Sequence, residues 1–141
     1  LYASFGKNTI GDFDWRQVSY DECQWERVAC ANGLVTRLEM RDFMIFYPQG
    51  FGPGLDPGFP FLNYLVNLEY IDFSDNIEMS GDITKLNKLT KLYFLDISGT
   101  RITGKATGNN ICAPNGSLSL LIYSESNIKE GFECNCGHVC V

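Results

Sequence analysis

Histidine is nearly absent from this 141-residue chain, where His138 stands alone. Ser-His-Asp and Cys-His catalysis would both have to run through it, and it lies in a cysteine-rich tail. No Gly-x-Ser-x-Gly elbow occurs, and no phosphate-cradling loop of the Gly-x-x-x-x-Gly-Lys type is read. Basic residues are also scarce. Eleven Lys and Arg face 17 Asp and Glu, for a net charge of -6. No basic run stands out, so the overall field repels a phosphate backbone and disfavours an anionic bilayer. Apolar runs of membrane-spanning length are missing; the longest candidate, residues 59–66, is broken by Pro60 and Asn63. No basic-then-apolar leader is read at Leu1, so a targeting peptide is expected to be already gone. These absences lead to the expectation of no enzyme, no cofactor, no resident metal, no nucleic-acid partner and no membrane-spanning segment.

Cysteine is missing only from the middle. Cys23 and Cys30 stand near one end, and Cys112, Cys134, Cys136 and Cys140 near the other. An even number at two ends reads as staples in an oxidising compartment: a secreted protein, or alternatively a thylakoid or other oxidising lumen. A sequon, Asn115-Gly116-Ser117, is a candidate glycosylation site. With 45% hydrophobic and 13% aromatic residues, the chain is rich enough for one domain with a real core.

The centre holds a repeat. Leu65, Leu68, Ile71, Phe73 and Asn76 are matched, 24 residues later, by Leu89, Leu92, Leu95, Ile97 and Thr100, and Asp72 and Ser74 by Asp96 and Ser98. A third copy runs through Leu118, Leu121 and Tyr123 to Ser126, and an earlier one through Val35, Leu38, Met40 and Phe43. Within each copy, alternation such as Ile71-x-Phe73 predicts a short strand with one buried face. One unit alone leaves its apolar side bare, so four units are expected to stack with their strands in a parallel sheet. Asn76 occupies the turn position that hydrogen-bonds backbone; Thr100 and Ser126 are its expected weaker substitutes.

Leu-x-x-Leu-x-x-Ile-x-Phe-x-x-Asn followed by Met79-Ser80-Gly81-Asp82-Ile83 resembles the plant-type leucine-rich repeat, with Thr84 where that pattern has Pro. Asp21-x-Cys23-x-Trp25-x-x-Val28-x-Cys30 is similar to the family's N-terminal cap, with Arg27 where the cap usually has Gly. Asn32-Gly33-x-Val35-Thr36-x-Leu38 resembles the lead into the first strand. Leu1, Tyr2, Ser4, Gly6 and Trp15 are similar to caps of algal and protist members. The resemblance implies an α/β fold: a short leucine-rich-repeat solenoid of about four repeats, its parallel sheet on the concave face and disulfide-stapled caps at both ends. The expected organisation is a cap over residues 1–34, repeats over 35–128 with a Gly/Pro/aromatic insertion at 47–60, and a Cys-rich tail over 129–141. The resemblance to the cap pairs Cys23 with Cys30, a staple worth roughly 2–3 kcal/mol in the loop-entropy model. The other four cysteines allow three pairings, and Cys112 is expected to join Cys134 or Cys136. A zinc knuckle of Cys134, Cys136, His138 and Cys140 is set aside because its spacing is too tight.

The resemblance implies that function lies in binding another protein. In register, Arg37, Glu39 and Arg41, then Tyr70, Asp72 and Ser74, then Phe94, Asp96 and Ser98, then Leu120, Ile122 and Ser124 should face the concave side. Tyr70, Phe94 and Leu120 form an apolar row, with Ile122 beside it. Asp72 and Asp96 would lie about 5 Å apart on adjacent strands, which a glycosidase could use, but the resemblance makes both a consensus feature of the repeat. In the insertion, Phe46, Tyr47 and Phe51 are further contact candidates, while about half of its aromatics are expected to cover the solenoid edge. Carbohydrate is retained as a second partner class. The competing expectations are a fixed accessory subunit of a large extracellular or thylakoid-lumen assembly, and an inhibitor of a wall-degrading enzyme.

Overall fold

The computed structural model describes residues 21–42, 62, 64–112 and 117–141. The insertion candidates Phe46, Tyr47 and Phe51, and the sequon at Asn115, lie outside the described residues.

Nine short strands lie among the described residues: β1 (Val28–Ala31), β2 (Leu34–Glu39), β3 (Tyr70–Asp72), β4 (Ser80–Asp82), β5 (Phe94–Asp96), β6 (Arg101–Thr103), β7 (Lys105–Thr107), β8 (Leu120–Ile122) and β9 (Glu133–Asn135). The main sheet has the order β1-β2-β3-β5-β8. From β2 onward it is parallel, with Leu38, Ile71, Leu95 and Leu121 in one register row. All four are fully buried, as are Met40, Phe73 and Ile97 one pleat further on. The period-2 alternation thus sends one side of each strand into a continuous core.

Two features depart from the expected all-parallel sheet. β1 pairs antiparallel with β2 through a two-residue turn, in which Asn32 (φ 53) and Gly33 (φ 75) both take left-handed backbone. That is the Asn-Gly hairpin turn whose twist matches the flanking strands. Parallel pairs also form away from the main sheet, β4 with β6 and β7 with β9. Helix is short wherever it is described: 3-10 turns at Glu22–Gln24, Ile83–Leu86 and Gly137–Val139, and one α-helix, α1 (Glu125–Lys129). The expected α/β character is therefore mostly strand. Asp82 caps the 3-10 turn Ile83–Leu86, its Oδ1 accepting from the Thr84 N–H and hydroxyl. No helix among the described residues is long and apolar enough to cross a membrane.

Arg27 carries φ 66, which accounts for the glycine usual at this place of the cap. Its guanidinium donates to the Arg41 carbonyl. Asp75 (φ 63) and Gly99 (φ 68) are a second left-handed pair, one repeat apart. A Cβ on Gly99 would come within 2.9 Å of Asp75 Oδ1 and 3.2 Å of its backbone. Gly99→Ala should therefore destabilise by roughly 1–3 kcal/mol, read as a lower midpoint in chemical denaturation.

The turn ladder differs from its sequence reading at one end. Asn76 is buried and donates to the carbonyls of Met40 and Phe73. Thr100, also buried, donates to the Ile97 carbonyl. The third position belongs to Asn127 rather than Ser126. Ser126 is exposed, whereas Asn127 is 0% exposed and reaches Thr100 and Ile102. Ser124 caps α1 and pulls the chain one residue out of repeat spacing.

The last strand is covered by the tail. Val141 N–H donates to the Leu121 carbonyl, and Tyr123 N–H to that of Val141. Disulfides join Cys23 to Cys30, Cys112 to Cys136 and Cys134 to Cys140. The tail also buries Phe132 and Val139 against the core.

Candidate binding face

The parallel register places outward-facing side chains in rows that run across the strands. One row is Arg37, Tyr70, Phe94 and Leu120; the next is Glu39, Asp72, Asp96 and Ile122. Arg41, Ser74, Ser98 and Ser124 follow, each two residues further along its chain. Ser74 is the exception to the expected exposure: it is buried, with its hydroxyl donating to Asp72.

The first row is a stack. Tyr70 and Phe94 lie 4.2 Å apart between ring centroids, with 3° between their planes. The Arg37 guanidinium carbon sits 3.6 Å over the other face of Tyr70, and its Nε donates to Glu39. Parallel in-register strands lie about 4.8 Å apart, so identical positions on adjacent strands stack their rings almost automatically. Tyr93, exposed immediately before β5, presents its ring to Tyr70 at 6.3 Å and 62°. Burial, and then the Asp72 carboxylate, hold the Tyr70 phenol above its ordinary pKa against the opposing pull of Arg37. The phenol is consequently neutral across the physiological range.

In the second row, Asp72 and Asp96 are partly committed. Each Oδ1 accepts from the backbone N–H and hydroxyl of the serine two residues on, at 2.9 and 2.6 Å. Asp82 does the same with Thr84 away from this face. The recurrence identifies a turn-closing role for this aspartate. Each Oδ2 has no partner among the described residues, so both carboxylates still present charge to the face. Arg41 is tied to Asp75 at 3.1 Å.

Contrary to the expectation from sequence, residues 99–105 do spell Gly-x-x-x-x-Gly-Lys, but Ala106 follows in place of Ser or Thr. The segment forms β6 and β7 around buried Ile102 instead of wrapping a helix N-terminus. A cavity of about 200 Å³ lies between Arg27, Val28, Ala29, Arg37 and Glu39, below the usual size for a small-molecule site. His138 is exposed on the tail. Sequence reasoning found the rows but missed the Arg37–Tyr70–Phe94 stack and the Tyr93 contact. Strand register was legible; the side-chain angles that close a stack were not. It also missed β1, although the Asn32-Gly33 pair was a usable signal.

No family model matches the chain, and no curated protein matches it either. Among solved structures it is similar to the leucine-rich-repeat ectodomain of the Arabidopsis receptor kinase HAESA, in complex with an N-terminally extended IDA peptide hormone ligand. The TM-score is 0.53 at 20% identity, over 78% of this chain. The matched region spans only 17% of that ectodomain chain. At this identity the likeness is one of architecture alone, and the architecture is solenoid-like, resembling a leucine-rich repeat.

Proposed function

We propose that the chain is a non-catalytic interaction module of an extracellular or other oxidising compartment, four repeats long and capped at both ends. Its concave face takes an extended peptide segment of a partner protein, one that carries a basic side chain beside an apolar one. The observation that carries this reading is the pairing of rows: Tyr70, Phe94 and Leu120, with the two rings stacked, directly beside Asp72 and Asp96, whose Oδ2 atoms have no partner among the described residues. Such a face offers contact area and fixed negative charge side by side, which suits an aliphatic stem ending in an ammonium or guanidinium. The similar HAESA ectodomain is itself described with a peptide ligand.

The stack also favours peptide over sugar. Sugar rings dock on exposed aromatic faces, but Arg37 and Phe94 occupy both faces of Tyr70, and Leu120 follows Phe94 in register. Three disulfides support an oxidising compartment.

Panning a phage-displayed library of extended peptides on the folded chain tests this. Binders should be enriched in Lys or Arg two residues from an apolar side chain. The double variant D72N/D96N keeps both Oδ1 acceptors, so its melting temperature should barely move. It should bind the selected peptides roughly tenfold more weakly, with a flatter salt dependence. Binders indifferent to D72N/D96N and to Phe94→Glu would overturn the assignment.

A further inference from the structure

The structure assigns a second use to the tail cysteines. We propose that, once their two disulfides are reduced, Cys112, Cys134, Cys136 and Cys140 form a thiolate site for one thiophilic, tetrahedrally coordinated cation of the zinc class. The Sγ atoms of Cys134, Cys136 and Cys140 all lie within 4.8 Å of one another. Cys112 belongs to the same cluster through its bond to Cys136. Four sulfurs around a tetrahedral zinc at about 2.3 Å stand about 3.8 Å apart. Reaching that spacing means opening two bonded pairs and closing the gaps between them, a rearrangement within the present cluster.

The local backbone suits the exchange. Cys136 and Cys140 are separated by three residues, within the spacing of paired structural ligands, and Gly137 (φ 61) turns the chain between them. Cys134 is carried by β9, which pairs with β7 at Ala106. Cys112 is anchored by its N–H to the Thr107 carbonyl, just beyond β7. The two arms are therefore joined by the β7–β9 backbone hydrogen bonds as well as by the disulfides. Cys112, Cys134 and Cys136 pack partly buried against the core, where a bound cation is shielded from solvent. This ligand set differs from the tail-only knuckle, because the remote Cys112 replaces His138 and relieves its crowded spacing.

The chemistry balances with a dithiol reductant. Each disulfide takes two electrons and two protons from one dithiol, which closes to a cyclic disulfide, leaving four thiols in all. A divalent cation then displaces four protons and forms four metal–sulfur bonds, giving a centre of net charge about −2. Metal and disulfides are alternative staples for the same cap over β8.

The test uses the full chain, reduced with a phosphine under anaerobic conditions and titrated with Cd²⁺ and Zn²⁺. One tightly bound cation per chain, with a sulfur-to-cadmium charge-transfer band, is expected. Cys112→Ser and Cys136→Ser should each weaken it tenfold or more, about the size of losses reported for lesser disturbances of metal sites. His138→Ala and the double variant C23S/C30S should leave it unchanged. Circular dichroism keeps the test decisive if the reduced chain unfolds, since metal must then restore the fold. No stoichiometric binding, binding indifferent to Cys112→Ser, or binding abolished by His138→Ala would overturn the proposal.

Discussion

Asn127→Ala should lower stability by about 2–4 kcal/mol, although it removes only one small polar side chain. The Asn127 amide nitrogen lies within hydrogen-bond distance of the Thr100 carbonyl (3.3 Å), Thr100 Oγ (3.1 Å) and the Ile102 carbonyl (3.2 Å). Its Oδ1 accepts from the Ser124 N–H at 2.9 Å and closes the cap of α1. The residue is 0% exposed, so water cannot replace these bonds. A net hydrogen bond contributes about 1 kcal/mol, but a buried group left unsatisfied costs about 1–3 kcal/mol. Loss of the cap adds about 1 kcal/mol. Ser126→Ala is the control. Ser126 also reaches the Thr100 carbonyl, at 3.1 Å, but from an exposed position where water can substitute, and its loss should cost under about 1 kcal/mol. Urea denaturation of both variants ranks them. A larger loss for Ser126→Ala would return the ladder position to Ser126.

Phe73→Ala should be the most damaging single change to the core, at about 3–5 kcal/mol. Phe73 is the largest fully buried side chain described. It sits at the far end of the β3 alternation, behind the sheet, where its removal leaves a cavity that the neighbouring repeats cannot fill without losing register. Against a total stability of about 5–15 kcal/mol for a domain, that is enough to leave an appreciable unfolded fraction at 37 °C. Phe94→Ala provides the contrast. It removes the same ring from the opposite face, where Phe94 is half-buried and stacked on Tyr70. The expected loss is about 1 kcal/mol, since an aromatic pair contributes about 0.5–1.5 kcal/mol beyond area burial. Thermal melts of the pair separate the two faces. Equal losses would mean that the Tyr70–Phe94 row is covered in the folded chain and is part of the core, which would remove the basis for the proposed binding face.

These expectations rest on particular residues of unequal legibility. The Ile71-x-Phe73 alternation and its 24-residue echo at Leu95-x-Ile97 suffice to predict stacked parallel strands, because a period-2 apolar pattern repeated at a fixed interval has one economical way to bury itself. The same pattern sets which residues share a row, since register follows from burial, and Arg37, Tyr70, Phe94 and Leu120 could be aligned before any coordinates. Cysteine number and placement likewise point to staples at the two ends.

Tertiary structure alone decided the rest. Which of three pairings the four later cysteines adopt depends on where β7 and β9 bring Ala106 and Cys134 side by side, a contact between residues far apart in the chain that no local spacing encodes. Asn127 displaces Ser126 because a helix cap shifts the chain by one residue. Arg37 closes over Tyr70 through side-chain angles that sequence leaves open. Local pattern determines which side of a strand faces the core. Contacts between distant segments determine which sulfurs meet, which amide completes the ladder and which rings stack, because each is selected by packing against partners that only the folded chain brings within reach.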